Sequence, residues 1–151
     1  MAFSSFFIFL AIVVVVASTG ILFKPGEWYD RLKKPDWTPP NWMFPVVWSV
    51  LYLFIALAGW YVFKAQGFGL LLGLWGLQMV LNMAWSWLFF GRHQMLAGLI
   101  DIVLLALVIA VFIFLAWGQV PMAAYLFVPY LVWVLVAMML NHQLWTLNRE
   151  A

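Results

Sequence analysis

The sequence predicts an all-α membrane protein: five transmembrane helices in one bundle, with a Pro/Trp-rich loop capping a ligand pocket. Three observations carry this. Of 151 residues, 68% are hydrophobic and 8% charged, and the mean hydropathy is +1.07. A soluble domain carries about 25% charged residues, so the bilayer is the solvent here. Five continuous apolar runs each reach the length of a membrane span, about 20 residues. Between the first two runs lies WYDRLKKPDWTPPNWMFPVVW, Trp28–Trp48, which interleaves tryptophans, prolines and charges.

The five runs are Phe3–Phe23, Phe44–Phe63, Phe68–Phe90, Leu96–Trp117 and Met122–Trp145, within a single domain covering residues 1–151. Their apolar residues are contiguous, unlike the alternating strands of a membrane barrel. No internal repeat is visible, and an odd helix count argues against an inverted-repeat transporter. The first run has no Lys or Arg before it and exceeds a signal-peptide h-region, so it reads as a retained helix.

Charge sets the topology. Lys24, Arg31, Lys33, Lys34, Arg92 and Arg149 fall on one side and Lys64 on the other. Positive-inside then places the Trp-rich loop and the C-terminus in the cytoplasm and the N-terminus outside, as suits a bacterial membrane. The net charge of +2 comes from few groups and does not suggest nucleic-acid binding. With no cysteine and two separated histidines, no metal site is expected. No Ser-His-acid set, carboxylate pair or phosphate loop is present, so acyl and phosphoryl transfer are excluded.

In the loop, Pro35 and Pro39-Pro40 enforce a stiff, extended path, and Pro45 falls in the first turn of the second helix. Trp28, Trp37, Trp42 and Trp48 are thereby held in place. A scattered interfacial belt needs no prolines between its tryptophans; a lid or ligand wall does. On the third helix Gln78, Asn82, Trp85, Ser86 and Phe89 share one face, which must point into the bundle. Two readings of that face stand side by side: interhelical hydrogen bonds, or a polar rim for a ligand. Pro129, Trp133, Ala137 and Asn141 follow at i+4 steps on the fifth helix, where Pro129 opens space. Asp101 is an intramembrane acid near the start of the fourth helix, read as tethered by Arg92. His93 and His142 read as exposed interfacial residues. Gly69, Gly73 and Gly76 form a small-residue face suited to a homodimer contact.

Four segments resemble the TspO/MBR family of bacterial tryptophan-rich sensory proteins and mitochondrial translocator proteins, the peripheral-type benzodiazepine receptors. They are W-Y-D-x-L-x-K-P-x-W-x-P-P-x-W at Trp28–Trp42, W-x-x-L-Y at Trp48–Tyr52, Q-x-x-x-N-x-x-W-S-x-x-F-F-G at Gln78–Gly91, and P-Y-L-x-W-x-x-x-A-x-x-L-N at Pro129–Asn141. The resemblance implies a five-helix bundle, often dimeric, that binds protoporphyrin IX and benzodiazepine-site ligands under the first loop, with no obligatory cofactor. It implies a pocket lined by Trp28, Trp37, Pro39, Trp48, Asn82, Phe89, Trp133 and Ala137; the inward amide face, read as a ligand rim, adds Trp85. The function it implies is a tetrapyrrole sensor or regulator of porphyrin or stress metabolism. A second reading is light- and oxygen-dependent porphyrin degradation with Trp48 and Trp133 as catalytic candidates, and a third is porphyrin or sterol transport. His142 stands where the family's sterol motif has Tyr, which counts against sterol as a ligand. Arg31, Lys33 and Lys34 beside the loop are placed to clamp porphyrin propionates.

Overall fold

The computed structural model describes residues 2–22 and 26–149. Every regular element in that range is helical: α1 (Ala2–Leu22), α2 (Glu27–Arg31), α3 (Met43–Gln66), α4 (Leu70–Ser86), α5 (Met95–Trp117) and α6 (Pro121–Asn148). A π-helical segment, Trp87–Gly91, extends α4. There are thus six α-helices among the described residues, where the sequence predicts five. Three of them, α3, α5 and α6, are long and apolar enough to cross a membrane. The α4 helix has 17 residues, short of a span until the π segment is added.

The additional helix is α2, within the Trp-rich loop. Extended Gly26 precedes it, Glu27 and Asp30 favour its positive N-terminal end, and Arg31 pairs with Glu27 at 2.8 Å. Pro35 forbids its continuation. Five residues are too few to leave a periodic signature in sequence. The α3 helix begins at Met43, with Pro45 in its first turn as the loop's prolines require.

Helix α1 packs on α3 and α4, α4 on α5, and both α3 and α5 on α6. The junction of α1, α3 and α4 turns on Gly59. A Cβ there would lie 2.6 Å from the Trp75 indole and 2.8 Å from Phe9. The backbones approach closely because no side chain intervenes, and Trp75 Nε1 donates to the Ile55 carbonyl at 2.9 Å. Gly59→Ala is therefore expected to lower stability by about 1–3 kcal/mol, the cost of overpacking a rigid core. Gly20→Ala, with nothing within 4 Å of the added carbon, is the matched control and should not destabilise the fold. Thermal unfolding of both in detergent makes the comparison.

Two hydrogen-bonded contacts settle which connections share an end of the bundle. Asn148, at the end of α6, bonds the backbone of Lys33 through both amide atoms, at 2.9 Å each. At the opposite end Gln66 donates to Gln119 at 2.7 Å. Of the basic residues described, Arg31, Lys33, Lys34, Arg92 and Arg149 lie at the first end, and Lys64 at the second. Lys24 is outside the described residues.

Candidate functional site

The α2 helix packs against one end of the bundle through Trp28 and Tyr29, where a lid would lie. Its Tyr29 side chain is 1% exposed and packs edge-on against Phe44 of α3 and Phe90 of the π segment. The Tyr29 hydroxyl is buried with no hydrogen-bond partner. Burial, together with the neighbouring Asp30 carboxylate, pushes its phenol up to about 12, so it remains an O–H donor at physiological pH. Lys34 Nζ stands 4.8 Å from the Tyr29 ring and donates to the carbonyls of Asp30 and Leu32. Asn41 Nδ2 donates to Asp30 Oδ1 at 3.0 Å, which folds the proline-bearing strand of the loop back onto α2.

Beneath the lid, Phe44 meets Trp133 of α6 edge-on, ring centres 5.8 Å apart. Trp133 Nε1 is also buried without an acceptor. Two unused donors, Tyr29 O–H and Trp133 N–H, therefore flank one phenylalanine ring. Their idleness stands out because the polar groups around them are satisfied. Tyr52 donates to Asn82 at 2.9 Å, Asn82 to the Tyr130 hydroxyl at 2.9 Å, Tyr130 to Gln78 at 2.8 Å, and Gln78 to the Trp75 carbonyl at 2.7 Å. Every donor in this chain points the same way, from Tyr52 toward Trp75, an arrangement in which successive bonds polarise one another. Trp48 sits against it, with ring centres 5.3 Å from Tyr52 and 6.2 Å from Tyr130.

On the other flank the π segment turns both Phe89 and Phe90 toward Trp85, with ring centres 5.4 and 5.5 Å away. An α-helix of the same sequence spaces neighbouring side chains by about 100°. Phe89 also meets Trp28 of the lid at 5.6 Å. Trp85 Nε1 donates to Asn141 Oδ1 at 2.9 Å, and Asn141 Nδ2 to the Met95 carbonyl at 2.8 Å. Gly98 makes room, since a Cβ there would lie 3.2 Å from Asn141 Oδ1.

The predicted lining residues therefore divide. Trp28, Trp85 and Phe89 form one aromatic cluster, Trp48 and Asn82 belong to the tyrosine–amide chain, and Trp133 faces Phe44, with Ala137 buried one turn further along α6. Trp85 has its N–H committed to Asn141, and Asn82 is engaged through both amide atoms. Pro39 is half-buried, and Trp37 is 46% exposed. Of the three cations, Arg31 is paired with Glu27 and Lys34 is folded over Tyr29; the Lys33 backbone is tied to Asn148. Gly69 and Gly73 are exposed and Gly76 is half-buried, all with open space beyond the Cα. Asp101 is not tethered by Arg92: the guanidinium lies over the Trp87 ring, 5.7 Å from its centre, while Asp101 is buried with Oδ2 unpartnered. A cation–π contact with Trp87 of the π segment engages the Arg92 guanidinium instead. A groove of about 430 Å³, lined by Ala110, Ile113, Phe114, Trp117, Gly118 and Leu131, lies toward the far end of α5 and is separate from this site.

Tyr29, Phe44, Tyr130 and Asn148 are structural participants that sequence reasoning did not assign; His93 is exposed as expected, but its stack on Trp28 was not foreseen. Tyr29 and Tyr130 lie inside the quoted motifs, Tyr29 next to Trp28 and Tyr130 next to Pro129, which was the signal for them. Asn148 continues the Asn141–Leu144 face of α6 at i+7, the one sequence hint that it turns inward.

An all-helical bundle with helices long and apolar enough to span a bilayer defines an integral membrane protein. The chain belongs to the TspO/MBR family, whose profile matches residues 7–146. It is 37% identical to protein CrtK of Rhodobacter capsulatus, across 98% of this chain and 95% of that one. It is 38% identical to the tryptophan-rich sensory protein of Cereibacter sphaeroides, across 95% and 90%. It is 39% identical to the translocator protein of Sus scrofa, across 89% and 82%.

Proposed function

We propose that this protein is a five-span membrane receptor for flat, conjugated small molecules bearing hydrogen-bond acceptors, tetrapyrroles of the protoporphyrin IX type foremost. In this reading it acts as a sensor or regulator of porphyrin or stress metabolism. The observation that carries the reading is the pair of buried, unpartnered donors under the lid, Tyr29 O–H and Trp133 N–H. Leaving a donor dry costs about 1–3 kcal/mol, and a carbonyl or carboxylate on a ligand would recover it. The surrounding indole and phenyl faces suit a conjugated ring, at roughly 0.5–1.5 kcal/mol per aromatic pair beyond area burial. Benzodiazepine-site ligands, aromatic and carbonyl-bearing, are a second ligand class for the same donors. The word "sensory" in a relative's name agrees with a binding role.

α1 and the α4–π unit complete five spans. At about 1.5 Å per residue, the 21 residues of α1 are long enough for the hydrocarbon core. The basic end, with lid and C-terminus, faces the cytoplasm, and α4 presents its glycine face to a second copy. Porphyrin photodegradation through Trp48 and Trp133 is the alternative reading.

Lys33 and Lys34, with Arg31 on the outer side, supply positive charge at the lid for ligand carboxylates. Replacing all three with Gln is expected to weaken protoporphyrin IX by about tenfold or more, the scale of one or two charge-assisted hydrogen bonds. The dimethyl ester, which has no carboxylate, should change by less than about threefold, within the range of an exposed charge. Equal losses for acid and ester would refute the clamp. Tryptophan fluorescence quenching measures both.

A further inference from the structure

We propose that His93 is the latch of the lid, holding α2 closed by stacking on Trp28. The two rings are nearly parallel, 5° apart in orientation, with centres 4.1 Å apart. The backbone at His93 is as telling as its ring. Its φ of 56° is the one positive value at a non-glycine among the described residues. A left-handed residue just past a helix end is usually glycine, sometimes asparagine. Here the turn is closed on both sides of it, by Arg92 N–H to the Trp87 carbonyl at 2.8 Å and Gln94 N–H to the Leu88 carbonyl at 2.9 Å. Glycine would make that turn without strain. Only a flat side chain makes the stack, so the strained residue serves the contact with Trp28.

Besides the burial of Tyr29 against Phe44 and Phe90, the lid is fastened at its two ends by contacts that differ in kind. At Lys33 the backbone N–H and carbonyl are both bonded to Asn148, whose side chain is buried. At Trp28 the fastening is one ring on an exposed imidazole, backed by the edge of Phe89. The charged groups nearby are otherwise engaged: Arg92 over Trp87, Glu27 with Arg31, and Asp30 with Asn41. The Lys33 end is then the hinge and the Trp28 end opens. Rotation about Lys33 lifts Trp28 off Phe89 and uncovers Tyr29.

Amide hydrogen exchange on the ligand-free protein tests this, so the outcome does not depend on which molecule binds. Asp30 N–H bonds the Gly26 carbonyl and Leu32 N–H the Tyr29 carbonyl, which makes both amides reporters of α2. In His93→Gly these two should exchange about 2–12-fold faster, the equivalent of one aromatic pair. The Lys33 amide and the melting temperature should hold, because glycine relieves the turn while the hinge stays fastened. Trp28→Leu should also speed exchange at Asp30 and Leu32, and adding His93→Gly to it should change the rates by less than about twofold. Unchanged exchange in His93→Gly, equal acceleration at Lys33, or full additivity of the two substitutions would each overturn the latch.

Discussion

Tyr130→Phe is expected to lower stability by about 2 kcal/mol, a large effect for the loss of one oxygen atom. The hydroxyl accepts from Asn82 and donates to Gln78, and the side chains of Asn82 and Gln78 are 3% and 0% exposed. Removing it leaves one amide N–H and one amide carbonyl dry. In water-soluble cores each such group costs about 1–3 kcal/mol. In membrane proteins the average polar contact is worth about 0.6 kcal/mol, because the unfolded chain in lipid also finds partners. Two orphaned groups at an intermediate cost give the figure. Tyr125→Phe is the control, since that ring is 54% exposed and bonds to none of the chain. Equal unfolding midpoints for the two variants in detergent would show that the tyrosine–amide chain does not brace the bundle.

The second large effect concerns the two idle donors. Trp133→Phe keeps a ring beside Phe44 but removes the N–H together with part of the indole; Tyr29→Phe keeps its packing and removes only the O–H. Each is expected to weaken protoporphyrin IX by about 3–10-fold, the value of one net hydrogen bond of about 0.5–1.5 kcal/mol. If the donors serve separate acceptors, the double variant loses the product of the two factors, roughly 10–100-fold. Without ligand Tyr29→Phe should be slightly more stable than the parent, since it removes a buried unpaired polar group at nearly constant volume. That pairing of opposite signs separates a ligand contact from a structural one. Loss of stability with no loss of affinity would assign the two groups to packing.

These effects rest on long-range pairings, and that is where the sequence stops being informative. The long apolar runs could be read directly, and the helix ends fall within about three residues of them, because continuous hydropathy is a local property. The inward face Gln78–Asn82–Trp85–Ser86–Phe89 was equally plain from its spacing, and all five side chains are buried. Its partners were not plain. Nothing local to Tyr130 says that its hydroxyl lies between Gln78 and Asn82, some fifty residues earlier in the chain. The α2 helix escaped notice because one turn has no period. The π segment escaped because its inserted turn depends on where Phe89 and Phe90 find room. Arg92 and Asp101 looked like partners by sign and spacing, yet Trp87 holds the guanidinium. Aromatic partners on both sides of the lid, Phe44 below and His93 beside, became visible only when the loop was folded onto the bundle.

The central claim is that the closed aromatic site under α2 takes up a conjugated ligand against Trp133. Dark titration of the detergent-solubilised protein with protoporphyrin IX, followed by tryptophan fluorescence quenching, tests it most directly when repeated on Trp133→Ala. The account predicts saturable quenching in the parent and an affinity about 100-fold lower in the variant, the combined loss of an indole face and its hydrogen bond. Non-saturable quenching that is the same in both proteins would contradict it and reduce the indoles to a membrane belt.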